Sequence, residues 1–480
     1  MRTAGVAFVL ACLVSGLLTP VVRRFALRHR LFDDHVASRK VHGRPIPRLG
    51  GLAIAAGFYA PLLALLLEAT SVGGIFYANS HRALAFLLGG VAICGLGLYD
   101  DIRGSGAGKK FLAQFAIAAA LYWVGFRIDI LALPFIGAFS LGPLSVVFTM
   151  LWIVGVINAM NLIDGLDGLA AGVGLFGLVT TFVLAAARAD PVMMLFMAAL
   201  GGATVGFLVY NFNPASIFMG DTGSMFLGYV LAVGSIQTSQ KSSTAVAILI
   251  PIVALGLPIA DTLLAMIRRA VNHQPIFSAD RAHIHHKLLD LGLSQKQAVL
   301  VLYGASILLG IMALLLTVAS GFQSALILLA MGTAGFIGIR RLGYGHLKRS
   351  AAAQTEMEAR KRLANLAAAT DERKLWQELK AAAEGLGMTS LRLCVDCQQD
   401  GDPVTIRRAH GEWRESERYQ GSMEISAGPA TFKVDYRSGF GVSESELGQL
   451  KQALEDASTR LFGEPSGAKA LPAPGPHLAG

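Results

Sequence analysis

The segment LAAGVGLFGLVTTFVLAAA, Leu169 to Ala187, runs without a single charged side chain. A stretch of this kind is close to the ~20 apolar residues that carry a helix across the hydrocarbon of a bilayer. Polar residues bound it, with Asn158, Asn161, Asp164 and Asp167 before it and Arg188 and Asp190 after it. Working outward, comparable runs lie at Ala4 to Val22, Gly50 to Leu67, Ala83 to Leu98, Phe111 to Val124 and Leu144 to Val156. Further runs lie at Val192 to Val209, Met225 to Ser239, Ala245 to Met266, Ala298 to Val318 and Phe322 to Ile339. Together they predict about eleven transmembrane helices. With 54% hydrophobic and only 15% charged residues, the composition excludes a mostly soluble globule.

Lys and Arg favour the cytoplasmic side of a membrane. The loop after the first run holds Arg23, Arg24, Arg28, Arg30, Arg39, Lys40, Arg44 and Arg48. Arg268, Arg269, Arg281, Lys287 and Lys296 follow the ninth run, and Arg340, Arg341, Lys348 and Arg349 follow the last. Alternate loops carry only Arg82, Arg127, Arg188 and Lys241. The expected fold is therefore an all-α polytopic membrane protein with its N-terminus outside and a small α+β cytoplasmic C-terminal domain. The first run, with a lone Arg2 before it and the heavy basic charge after it, reads as a retained helix rather than a cleaved signal. The net charge of +9 is topology and lipid-headgroup contact, and gives no ground for nucleic acid.

Cys12 and Cys94 lie in apolar runs, and Cys394 and Cys397 lie in the cytoplasmic tail, so no disulfide is expected. A single C-x-x-C without a second pair is weak ground for zinc.

On this topology the acidic and His-rich stretches share the cytoplasmic side. They are Asp100-Asp101, the series Asn158, Asn161, Asp164 and Asp167, then Asn211 and Asp221, then His283, His285 and His286. Carboxylates next to lipid are costly and need a cation, a basic ligand or water. Asp100-Asp101 by itself reads as a solvated turn. The Asn158 to Gly168 stretch does not, because Asn158, Asn161 and Asp164 recur at helical spacing. Gly220-Asp221-Thr222-Gly223-Ser224 reads as a turn that caps the next helix through Ser or Thr, or as a close backbone approach to phosphate. The His triple has metal-ligand residue types, but beside a basic loop it reads more readily as structural or phosphate-facing. The basic loop is a positive-inside anchor whose Pro and Gly content argues for a fixed shape. Cations beside a carboxylate cluster would also suit a metal-bound diphosphate.

In this order the stretches resemble the polyprenyl-phosphate N-acetylhexosamine-1-phosphate transferases of glycosyltransferase family 4. The likeness spans about Leu31 to Leu289. It runs through Arg39-Lys40-x-His42 with Pro47-Arg48-x-Gly50-Gly51, Asp100-Asp101, Asn158 to Gly168, Asn211, Gly220 to Ser224 and His283-Ile284-His285-His286. The resemblance implies attack of a polyprenyl phosphate on the sugar-linked phosphorus of a UDP-sugar, with UMP leaving and Mg2+, or Mn2+, as cofactor. By residue matching, Asp221 is the metal ligand and Asp100 the proposed base, with Asp101 beside it. Asn158, Asn161, Asp164, Gly165, Leu166, Asp167, Asn211 and Phe218 would line the uridine and diphosphate region. Arg39, Lys40, His42, Arg48, His283, His285 and His286 would approach the phosphates or sugar. The Arg-Lys-x-His and His-Ile-His-His forms look like the branch that uses UDP-GlcNAc and undecaprenyl phosphate, at the cytoplasmic face of the bacterial inner membrane.

The chain departs from that family where Gly104 stands in place of a further acid, and where Gly108 stands in place of a Lys. Lys110 is the substitute candidate for that phosphate contact. Asp34 is followed by His35 rather than Pro.

Residues 1–345 are thus expected to be the membrane-embedded transferase, 346–463 a cytoplasmic helical linker and small α+β domain, and 464–480 a disordered tail. In the tail, a helical stretch to Glu384 precedes strands at Leu391 to Val395, Val404 to Arg407, Met423 to Ser426 and Thr431 to Tyr436, and Ser443 caps a helix to about Leu461. It carries no catalytic motif, so dimerisation of two copies or regulation is the expected role. An ion-coupled transporter would carry its acids near the midplane in two similar halves, and no such repeat is present.

Overall fold

In the computed structural model the chain divides into two compact units, Met1–Gly345 and His346–Gly480. The structure describes residues 1–29, 31, 46–67, 74, 80–133, 137–240, 249–271, 283–341, 362–368, 371–385, 388–399, 402–410, 421–427, 430–438 and 444–462. Arg39, Lys40 and His42 lie outside them, as do Asp34, His35, Ser443 and the tail from 464.

The first unit opens with α1 (Arg2–Arg28), α2 (Gly50–Leu67), α3 (Ser80–Arg103) and α4 (Ala107–Val124). A small antiparallel hairpin follows, β1 (Ile130–Leu133) with β2 (Gly137–Ser140). Next come α5 (Leu144–Leu162), α6 (Leu169–Ala187), α7 (Pro191–Asn211) and α8 (Gly220–Gln240). The short α9 (Leu249–Ala254), α10 (Gly256–Val271), the short α11 (Ile284–Asp290), α12 (Gln295–Leu315) and α13 (Gly321–Arg341) complete it.

Among the described residues, 7 helices are long and apolar enough by length and composition to cross a membrane: α1, α3, α5, α6, α7, α12 and α13. The protein is a mostly helical, multi-pass membrane protein. The remaining apolar runs also lie in helices, but these are shorter or more polar. The apolar part of α2 is Gly50–Leu65, α4 carries Lys109 and Lys110 in its first turn, and α8 starts with the polar Gly220 to Ser224 stretch. The run Ala245 to Met266 is read from the sequence as one helix; its first four residues lie outside the described ones, and the rest is interrupted at Leu255, between α9 and α10. Pro258 causes the break, because it has no N–H to offer the carbonyl four residues earlier and its ring crowds that position.

The centre of the unit is α7, 83% buried over its apolar stretch, whereas α13 is 6% buried and lies on the rim. Along α1, Ala4, Ala7, Ala11, Ser15 and Thr19 face inward, while Val6, Val9, Leu13 and Leu17 are exposed. The small stripe lets α1 and α7 touch backbone to backbone. A Cβ on Gly202 would stand 2.0 Å from Phe8 O, and one on Gly206 would stand 2.3 Å from Cys12 O. Lipid tails give helices no hydrophobic reason to associate, so close van der Waals contact of this kind has to hold them together.

In the second unit α14 (Glu372–Gly385) precedes β3 (Met388–Gln399), β4 (Asp402–His410), β5 (Gly421–Ala427) and β6 (Ala430–Ser438), and α15 (Glu444–Phe462) ends it. The sheet order is β4-β3-β6-β5, with every neighbour antiparallel. Leu375, Leu379 and Ala383 of α14 are buried, as are Val434 and, on α15, Leu450, Leu454 and Ala457. The strands are longer than their apolar stretches, since the β3–β4 ladder continues through polar pairs as far as Gln399 with Asp402.

Candidate active site

Helix α3 carries Asp100-Asp101 in its last turn, and Gly104, at φ +66, turns the chain toward α4. Asp100 closes that turn. Its Oδ1 accepts from Ser105 N at 2.7 Å and Ser105 Oγ at 2.5 Å. Its Oδ2 accepts from Lys110 Nζ at 3.0 Å, and the same ammonium donates to Asp221 Oδ2 at 2.9 Å. Two carboxylates from the ends of different helices therefore converge on one cation. All three side chains are partly exposed, at 22% for Lys110, 15% for Asp100 and 24% for Asp221.

Asp101 points the other way, into the start of α8. Its Oδ1 accepts from Asp221 N at 2.8 Å, and its Oδ2 accepts from Thr222 N at 3.0 Å and Thr222 Oγ1 at 2.6 Å. The first amides of a helix have no partner within it and carry a partial positive charge. The cap expected from Ser or Thr of the turn itself is thus supplied instead by a carboxylate of α3. Gly220 makes this approach feasible: at φ +70 it suits glycine, and a Cβ there would stand 2.2 Å from Arg48 O and 2.6 Å from Asp101 Oδ2.

Pro47-Arg48-Leu49-Gly50-Gly51 braces the same helix end. Phe218 N donates to Pro47 O at 2.8 Å, Gly50 N to Phe218 O at 2.9 Å and Gly51 N to Met219 O at 2.8 Å. A Cβ on Gly51 would lie 2.1 Å from Gly223 N, and one on Gly97 of α3 would lie 2.5 Å from Thr222 Cα. Three helices are thereby packed backbone to backbone around Asp221.

The end of α5 supplies the next layer. Asn161 Nδ2 donates to Ser224 Oγ at 3.0 Å, and Ser224 Oγ donates to Gly220 O at 3.0 Å. One turn back, Asn158 Nδ2 donates to Gln114 Oε1 of α4 at 2.7 Å. Asp164 lies past the helix end, half-buried. Burial first, then the Asp221 and Asp101 carboxylates, push its pKa up to about 7, with Arg48 opposing.

Gly165 lies under a histidine, for a Cβ there would be 2.4 Å from His285 Nε2. The His285 ring stacks on His283, with centroids 5.6 Å apart, and lies 4.3 Å from His286. His283 Nδ1 is 2.9 Å from Oδ2 of the buried Asp261 of α10, whose Oδ1 accepts from Ile284 N at 2.7 Å. One carboxylate of α10 thus fixes the start of the His-bearing α11.

Asp167 and Asn211 are buried and shape the loop before α8. Asp167 Oδ2 accepts from Asn213 Nδ2 at 2.9 Å and Ala215 N at 3.0 Å, and Asn211 Nδ2 donates to Ile217 O at 3.0 Å. Leu166 packs against the core.

Of the residues singled out from the sequence, Asp100, Asp101, Lys110, Asn161 and Asp221 form one hydrogen-bonded cluster, with Arg48 and Asp164 beside it. Asp167, Asn211 and the Phe218 backbone hold the surrounding loop. Sequence reading passed over Ser105, Gln114 and Asp261, and named Thr222 and Ser224 only as candidate caps of the helix that follows. Only Asp261 carried a legible signal, as an acid inside an apolar run, where an ionisable side chain is costly without a partner.

Among the described residues no group of three or more His, Cys, Asp or Glu is arranged to hold a metal. Mg2+ does not require one, since it takes one or two carboxylates and fills its remaining positions with water and phosphate oxygens. Asp100 and Asp221 each turn one oxygen toward the Lys110 ammonium, so the donor types present suit such an ion.

A family model described as glycosyl transferase family 4 matches residues 83–239, from α3 through α8. Over 324 residues, 67% of this chain and 87% of the relative, the sequence is 42% identical to the probable undecaprenyl-phosphate N-acetylglucosaminyl 1-phosphate transferase of Bacillus subtilis. The chain belongs to glycosyl transferase family 4. It is also 34% identical over 326 residues to the decaprenyl-phosphate N-acetylglucosaminephosphotransferase of Mycobacterium tuberculosis, covering 63% of this chain and 80% of that one. To the phospho-N-acetylmuramoyl-pentapeptide-transferase of Staphylococcus haemolyticus it is 29% identical over 327 residues, 65% of this chain and 97% of that one. The family 4 match takes in Asp100, Asp101, Lys110, the Asn158 to Gly168 stretch and Asp221, and ends before the histidines of α11.

Proposed function

We propose that this family 4 protein transfers N-acetylglucosamine 1-phosphate from UDP-GlcNAc to undecaprenyl phosphate, releasing UMP and starting a lipid-linked cell-envelope polysaccharide. The convergence of Asp100 and Asp221 on Lys110 at the N-terminus of α8 carries this reading. The higher identity to relatives named for N-acetylglucosamine than to those named for the muramoyl pentapeptide supports the choice of sugar.

In the reaction an oxygen of the lipid phosphate bonds to the sugar-bearing phosphorus as the bond from that phosphorus to UMP breaks, and the electron pair leaves with UMP. Such a transfer depends on positioning and charge neutralisation more than on covalent help from the protein. Mg2+, or Mn2+, held through Asp221 with Asp100 beside it would neutralise charge on the diphosphate and leaving oxygens. Lys110 offers a second cation, and the start of α8 adds its partial positive charge. Asp101, with both oxygens taken by α8 donors, positions Asp221 rather than meeting substrate. Asp100 assists deprotonation of the acceptor, a small task for a phosphate whose second pKa is near ~6. Asn161, Asp164, Gly165 and Leu166 line the uridine and diphosphate region, and His285 and His286 approach the phosphates or sugar. Arg39, Lys40, His42 and Arg48 supply further positive charge.

The distribution of Lys and Arg supports eleven spans, an outside N-terminus and a site at the cytoplasmic face of the inner membrane. The second unit serves dimerisation or regulation.

Incubating the purified protein with undecaprenyl phosphate, Mg2+ and a panel of UDP-sugars tests the assignment. UMP should appear with UDP-GlcNAc. Turnover of UDP-MurNAc-pentapeptide alone would move the protein to the other branch, and ion flux with no UMP from any donor would make it a transporter.

A further inference from the structure

We propose that Lys110 is the resident counter-ion of the metal position, and that divalent-cation binding is coupled to diphosphate binding through its displacement. The inference rests on the proposed role of Asp221 in holding the metal. Nζ of Lys110 sits 2.9 Å from Asp221 Oδ2 and 3.0 Å from Asp100 Oδ2, so it already fills the point where a shared cation would go. A magnesium ion bound at about 2.0–2.1 Å from a carboxylate oxygen cannot share that oxygen's open side with an ammonium. Asp101 offers no alternative, as its oxygens accept from Asp221 N, Thr222 N and Thr222 Oγ1.

Lys110 is able to move. It lies in the first turn of α4 on a flexible four-carbon stem, and its side chain is partly open to solvent, which gives the ammonium somewhere to go. An ammonium driven off both carboxylates is left unpaired unless another anion takes it, and the donor diphosphate is the anion at hand. The metal therefore binds weakly alone and more tightly once a diphosphate receives Lys110. By linkage, the diphosphate binds more tightly in the presence of metal by the same factor.

The test is Mn2+ binding to the full-length protein, read from the spectrum of free Mn2+ by electron paramagnetic resonance, with and without UDP as an unreactive diphosphate. Lys110→Met should bind Mn2+ at least about 5-fold more tightly than wild type in the absence of UDP, and should lose most of the tightening that UDP gives wild type. Lys110→Gln keeps a donor between the two carboxylates, guards against a Met variant that does not fold, and should behave the same way. Asp221→Asn should weaken binding in every background. Equal or weaker Mn2+ binding by both Lys110 variants, with wild type binding in an Asp221-dependent way, would overturn the displacement and leave the metal assignment intact. Absence of any Asp221-dependent Mn2+ binding in all proteins would remove the metal assignment and the coupling with it.

Discussion

Asp101 and Asp221 stand 120 positions apart and share one helix end, yet they face different partners. Asp221 looks toward Lys110, and Asp101 accepts from the first donors of α8. Asp221→Asn keeps the shape and removes the charge, so turnover should fall by orders of magnitude with the unfolding midpoint nearly unchanged, and added Mg2+ should restore little. Asp100→Asn should retain more activity, rising with pH as the acceptor phosphate ionises by itself; paired turnover and melting measurements on the two variants check this, and equal loss in both would contradict it. Asp164 gives a pH signature. With its pKa moved from 3.8 to about 7, the metal-free folded protein holds a proton that the unfolded chain has released between those values. Stability should therefore fall as pH rises through that window, modestly because solvent reaches the group. Melting in chelator across the window should show a shallower slope in Asp164→Asn than in wild type, because the variant lacks that one titrating group; identical slopes would refute the environment described for Asp164. The acidic residue types were legible in the sequence, but the division of labour was not. Whether an Asp caps a helix or meets a ligand depends on a partner that adjacency in the chain does not reveal, as with Ser105 for Asp100 and Thr222 for Asp101.

At the level of elements, the site depends on how closely α2, α3 and α8 approach. Gly95 and Gly97 lie on the same helix and serve as a matched pair, since a Cβ on Gly95 would meet nothing within 4 Å while one on Gly97 would stand 2.5 Å from Thr222 Cα. Gly97→Ala should destabilise by about 1–3 kcal/mol and lower turnover, because backbone cannot give way as a side-chain tip can. Gly95→Ala should be close to neutral. Thermal unfolding and UMP release measured side by side decide it, and equal tolerance at both positions would contradict the packing. The sequence showed the glycines of Pro47 to Gly51 only as part of a motif, and their use as a brace for α8 needed the fold. Similarly, the described part of each apolar run falls mainly in helix, but hydropathy does not register the missing N–H at Pro258, where α9 gives way to α10. Nor did it reveal the β1–β2 hairpin, whose strands are four residues each.

Across the whole molecule, the described site residues lie within Met1–Gly345, and His346–Gly480 is a compact unit of its own. A protein ending at Arg349 should therefore keep measurable transfer activity. If it inserts and folds yet is inert, the second unit belongs to the catalytic body. The membrane class was legible from composition, whereas the number of crossings depends on helices such as α4 and α8 that mix apolar length with site polarity. The most direct measurement follows phosphorus rather than sugar. Donor carrying 32P in the sugar-linked phosphate of UDP-GlcNAc is given to the purified protein with undecaprenyl phosphate and Mg2+, and the products are partitioned between water and organic solvent. The label should enter the lipid phase in step with UMP release, and stay in water with Asp221→Asn. Sugar reaching the lipid while the label remains in the aqueous nucleotide would contradict transfer of a sugar phosphate.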